Sequence, residues 1–102
     1  MLTLPQALDK IIATVHQLSN DNRRILVKTD LLPAMRALRL CATEEMSPPL
    51  VTKSLPAMES WAHYVATNPT SWRTYADRLA THSRSLRILA KVQTMGGVHA
   101  DR

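Results

Sequence analysis

The sequence predicts an all-α fold, a compact bundle of about four helices with the C-terminal helix longest. Three observations predict it. Glycine occurs twice, adjacent at Gly96 and Gly97, whereas strand-rich chains of this size need glycines at several tight turns. Leu, Ala, Met and Arg, all good helix formers, dominate a chain that has no phenylalanine. Apolar residues also recur at helical spacing. The 102 residues fit one domain, 1–102, with 98–102 expected as a frayed tail beyond the glycine pair. Hydrophobic residues make up 45% and charged residues 21%, a mixture able to build a core.

The first helix is predicted from Leu4 to Ser19, with Thr3 as N-cap, Gln6 in the capping-box position and Pro5 in the first turn. Leu4, Leu8, Ile11, Ile12, Val15 and Leu18 fall on one face, and the polar run Ser19 to Asn22 ends the helix. Arg23 to Lys28 suits a short edge strand or a helix start; helix is preferred because no partner strand is evident. Thr29 or Asp30 is expected to cap the next helix, which runs to about Glu45 with Pro33 in its first turn. Its inward face carries Leu31, Ala34, Met35, Leu38, Cys41 and Ala42, with Arg36 and Arg39 off it.

The loop Met46 to Pro49 is expected to break the chain before a third helix near Ser54. Leu55, Met58, Trp61, Ala62 and Val65 face inward there, and Asn68-Pro69 stops it. The fourth helix runs from Trp72 to about Met95, capped by Thr70 or Ser71 and stopped by the glycines. The segments Thr29 to Met35 and Thr52 to Met58 match at five of seven positions. Shared capping chemistry accounts for this more simply than a true repeat.

Thirteen Lys and Arg against eight Asp and Glu give +5, so nucleic acid, anionic lipid or an acidic protein surface would be attracted. Nine of the thirteen are Arg, whose planar fork suits phosphate or carboxylate. On the fourth helix, 100° steps gather Arg73, Arg84, Arg87 and Lys91 on one face, opposite Trp72, Tyr75, Leu79, Leu86, Leu89 and Ala90. These four cations are the candidate nucleic-acid or anion-binding residues; the competing reading is an ordinary solvated face. A helix-turn-helix with Thr81 to Ser83 as its turn is set aside, because the helical period continues through His82 and Ser83. Trp61, Tyr64, Trp72 and Tyr75 bracket the Asn68-Pro69 turn. Base stacking would need them exposed among cations, whereas a chain without phenylalanine is expected to use them in core or turn packing.

Leu40, Ile88 and Val92 project away from the main apolar stripes and are the candidate partner-binding residues. Catalysis is not expected. No GxSxG, GxxxxGK[ST] or GxGxxG occurs, Glu44 and Glu45 diverge at a helix end, and Cys41 has no neighbour to activate it. The histidines lack metal-ligand spacing except for His63 with Glu59, so neither metal nor cofactor is expected. A lone cysteine points to the cytoplasm, and polar residues interrupt the first twenty positions where a signal peptide would be apolar. The expected function is a small non-catalytic subunit or accessory factor of a protein–nucleic-acid assembly, with other protein subunits as partners. Neither a membrane nor a small-molecule substrate is expected. The alternative is a protein-only adaptor, chaperone or inhibitor whose basic face meets an acidic partner.

Overall fold

The computed structural model describes residues 2–44 and 49–100, with side chains at 2–41, 49 and 51–89. Among the described residues five α-helices follow one another: α1 (Leu4–Gln17), α2 (Arg23–Leu26), α3 (Leu32–Glu44), α4 (Pro49–Thr67) and α5 (Trp72–Ala100). A π-helical turn, Val27–Leu31, joins α2 to α3 without a break, so the described residues form four rods and no strand.

The capping box forms as its chemistry requires. Thr3 Oγ1 accepts from the Gln6 amide at 3.3 Å and Gln6 Oε1 accepts from the Thr3 amide at 2.9 Å, satisfying two donors at the helix start. After α1 a second reciprocal pair builds the turn. The Ser19 amide donates to Asn22 Oδ1 at 2.7 Å, and the Asn22 amide donates to Ser19 Oγ at 3.3 Å.

Arg23 to Lys28 is helical, but neither Thr29 nor Asp30 caps anything: both lie inside the π turn. Pro33 explains the widening. Its ring crowds the carbonyl four residues back and it has no N–H, so the turn before it expands and Leu32 donates to Val27, five residues away. The third rod also departs from expectation. It begins at Pro49 rather than near Ser54 and carries Pro56 in its interior. Pro49 suits a helix's first position, and burial of Val51, Leu55 and Met58 on one face offsets the bond lost at the exposed Pro56. Both copies of the internal echo therefore lie within helical rods, and shared capping does not explain it. The expected break at 46–48 falls outside the described residues.

Asn68 shapes the turn ahead of α5, its Oδ1 accepting from the amides of Thr70 at 3.2 Å and Ser71 at 2.8 Å, and Ser71, directly before Trp72, accepts at its carbonyl from the Thr74 amide at 3.0 Å. The α5 backbone then continues through Gly96 and Gly97 to Ala100, past the stop expected there. Its helical period runs unbroken through Thr81, His82 and Ser83.

The rods alternate in direction. Asn20 meets Trp72 and Asp9 meets Arg87, so α1 is antiparallel to α5. Tyr64 stacks on Tyr75 and Ser54 meets His82, so α4 is antiparallel to α5 as well. Both α1 and α4 pack against α3 and α5, placing α3 and α5 at opposite corners. Leu8, Ile11, Leu31, Met35, Leu38, Leu55, Met58, Leu79 and Leu86 fill the centre. Of the other expected inward residues, Val15, Leu18, Trp61 and Tyr75 pack at the edge of this core, Ile12 and Leu89 stand outside it, and the side chains of Ala42 and Ala90 lie outside the described residues. Small residues bury where α5 meets its neighbours: Ala76, Ala80 and Ser83, with Ala7 and Thr14 on α1. No helix is long and apolar enough to cross a membrane, among the described residues.

Candidate functional site

The cations expected on one face of α5 do share an azimuth, but Ala76 and Ala80 on that side are buried. The basic row is therefore an edge along the α1–α5 contact, rather than the outward face of the helix. At 1.5 Å per residue, Arg73 and Arg84 stand about 16 Å apart along the axis, and Arg87 follows about 5 Å further on. Each meets a different neighbour. The Arg73 guanidinium lies 4.5 Å from the Trp72 ring centre. Arg84 Nη2 lies 3.0 Å from His16 Nε2, within hydrogen-bond distance. Arg87 Nε donates to Asp9 Oδ1 at 3.0 Å across a partly exposed ion pair. Such contacts are weak in water and exchange readily for another anion. The side chain of Lys91 lies outside the described residues.

The partner-binding candidates separate. Leu40 is 46% exposed on α3 and Ile88 is 66% exposed on α5, at opposite corners of the bundle, so they do not make one surface. The side chain of Val92 lies outside the described residues. Ile88 stands one turn from Arg84 on α5, beside the basic edge.

A second arrangement occupies the opposite flank of α5. Trp61, Thr74, Asp77, Arg78, Thr81, His82 and Ser85 line an open groove of about 430 Å³ between α4 and α5. Ser54 Oγ and His82 Nε2 share a hydrogen bond of 2.6 Å, and the imidazole sits edge-on to Trp61 with ring centres 5.7 Å apart. Ser54 is buried within α4, so the bond fixes the imidazole more than it presents a hydroxyl to a substrate. Next to the groove, Tyr64 and Tyr75 stack at 4.7 Å with planes tilted 30°. Arg78 lies 5.5 Å from the Tyr75 ring centre. The four aromatics thus divide. Trp72 belongs to the core, Trp61 and Tyr75 pack at its edge, and Tyr64, 44% exposed, packs on Tyr75 across the Asn68-Pro69 turn.

A smaller cleft of about 220 Å³ lies against the π turn, lined by Arg24, Val27, Lys28, Leu32, His63 and Ala66. Among the described residues no three His, Cys, Asp or Glu side chains gather to hold a metal. The Cys41 thiol is buried and donates to the Leu2 carbonyl at 3.0 Å.

Comparison of the chain with protein-family models, curated proteins and solved structures finds no match. Function therefore has to be argued from these side chains. Sequence reasoning found the cations of α5 from their helical spacing. It missed the Ser54–His82 bond and the Tyr64–Tyr75 stack, which join residues on separate helices with no local signal between them.

Proposed function

We propose that the chain is a small non-catalytic binding protein, a helical subunit or accessory factor of a protein–nucleic-acid assembly. Its basic α5 edge contacts backbone phosphates. The observation that carries this reading is the row Arg73, Arg84 and Arg87 on one rigid helix edge, with Lys91 next in the same register. Among the described residues this row holds one ion pair, the exposed contact with Asp9. Guanidinium groups held by a helix lose little freedom on meeting phosphate, and a net charge of +5 draws the polyanion in.

An acidic protein is the competing partner, favoured by the exposed Ile88 beside the same edge, since carboxylates offer Arg the same bidentate geometry. Affinity for short oligonucleotides across a salt series separates the two. Binding is expected at low salt, with log K falling linearly against log salt concentration. Changing Arg84 and Arg87 together to Ala is expected to make the slope shallower by about 1.4 on single strands and about 1.8 on duplex DNA, while helicity stays unchanged. A wild-type protein that binds no oligonucleotide at low salt would overturn the reading in favour of the protein-only adaptor.

A further inference from the structure

The α4–α5 groove combines three features. Its flank carries flat rings in contact, Tyr64 on Tyr75, in a chain so short of aromatics that leaving one 44% exposed forgoes apolar area the core could have used. It has a cation beside those rings: Arg78 lies over Tyr75, lines the groove, and makes no ion pair among the described residues. It also has room. About 430 Å³ falls within the ~300–1,000 Å³ range of small-ligand clefts, with Trp61 as one wall.

We infer that this groove takes an unpaired base of a single-stranded nucleic acid, stacked on the exposed Tyr64 ring at the groove's flank and reaching in toward Trp61, with Arg78 on the adjoining phosphate. The inference rests on the nucleic-acid reading above and specifies the form of the strand. Exposed rings beside a guanidinium offer π-faces to any base, so stacking of this kind tolerates sequence. In a duplex those base faces are already covered by their neighbours, and the phosphates reach only the cationic edge. Asp77, also in the groove, disfavours a phosphate deep inside but accepts hydrogen bonds from the amino group of a base. The base therefore lies inward and the phosphate outward, toward Arg78.

The test compares three fluorescently labelled probes of equal phosphate count: a single-stranded oligonucleotide, the same backbone with abasic sites, and a duplex. Wild type is expected to bind the intact single strand about 5- to 160-fold more tightly than the abasic one, the range that one stacked base supplies. Tyr64→Ala is expected to remove that preference while leaving abasic binding and its salt slope unchanged. Tyr64→Phe, which keeps the ring, is expected to retain the preference. Tyr64 is exposed, so circular dichroism of both variants should match wild type. Equal binding of intact and abasic strands, or a Tyr64→Ala variant that keeps the preference, overturns the groove inference while the phosphate reading stands. Duplex binding as tight as single-strand binding does the same. Loss of all three probes at low salt overturns both readings together.

Discussion

At the end of the bundle where the turns between rods meet, Arg23 is 5% exposed and gives Nη1 to the carbonyls of Val65 at 2.7 Å and Ala66 at 3.0 Å. On the α5 edge, Arg87 reaches an exposed carboxylate instead. The side chains are identical and their surroundings are opposite. Arg23 serves the last turn of α4, where carbonyls lack helical partners and the helix dipole favours a cation, and Trp72 stands 5.8 Å from its guanidinium. Beside it, Trp72 Nε1 donates to Asn20 Oδ1 at 2.8 Å, tying the turn after α1 to the start of α5. Counting arginines in a basic chain thus overstates its ligand-binding surface, because burial assigns some of them to holding the fold together.

The largest effect that would sharpen this contrast comes from Arg23→Met. The apolar stem is kept, but one buried and one partly buried carbonyl lose their donor, and about 2–4 kcal/mol of stability should disappear. Thermal unfolding is expected roughly 10–20 °C lower. A variant melting like wild type would break the comparison, since Arg23 would then hold nothing together.

Ser83 tests the opposite case in the interior. It is fully buried on α5 and its Oγ has no hydrogen-bond partner among the described residues. What the position requires is a small side chain where α5 packs into the bundle. Ser83→Ala keeps the size and removes a stranded hydroxyl, so it should be neutral or raise stability by about 1 kcal/mol in urea unfolding. A loss of more than that would mean the hydroxyl has a partner.

The smallest change in stability belongs to the exposed pair. Asp9→Asn should alter unfolding free energy by about 0–1 kcal/mol, because a surface ion pair contributes little. Its effect on binding runs the other way. Releasing Arg87 and removing a carboxylate from the basic edge should tighten oligonucleotide binding at low salt by about 2–5-fold, and the gain should fade as salt screens the charges. Unchanged affinity would exclude Arg87 from the contact surface.

Much of the fold was legible before any tertiary contact was known. The Thr3–Gln6 capping box, the polar turn at 19–22, the stop at Asn68-Pro69 and the buried faces of α1 and α3 all depend on residues within a turn or two of each other. The π turn and the early start of α4 were not legible. Pro33 and Pro56 look alike from their neighbours, both as Leu-Pro-Ala-Met, yet one widens the helix before it and the other lies within a longer one. The residues ahead of both are buried, Val27 and Leu31 before Pro33 and Val51 before Pro56, so nothing local separates the two outcomes.

The same division holds for the candidate site. Helical spacing alone placed Arg73, Arg84 and Arg87 on one side of α5, because 3.6-residue periodicity is a property of the chain itself. Which neighbour flanks that side was set by assembly. Asp9 and Arg87 are separated by 78 positions, Arg23 and Val65 by 42, and Ser54 and His82 by 28. No local propensity encodes such pairings. They follow from the order in which four rods close around Leu8, Met58 and Leu79, and from how far each rod is turned about its own axis when the apolar stripes meet.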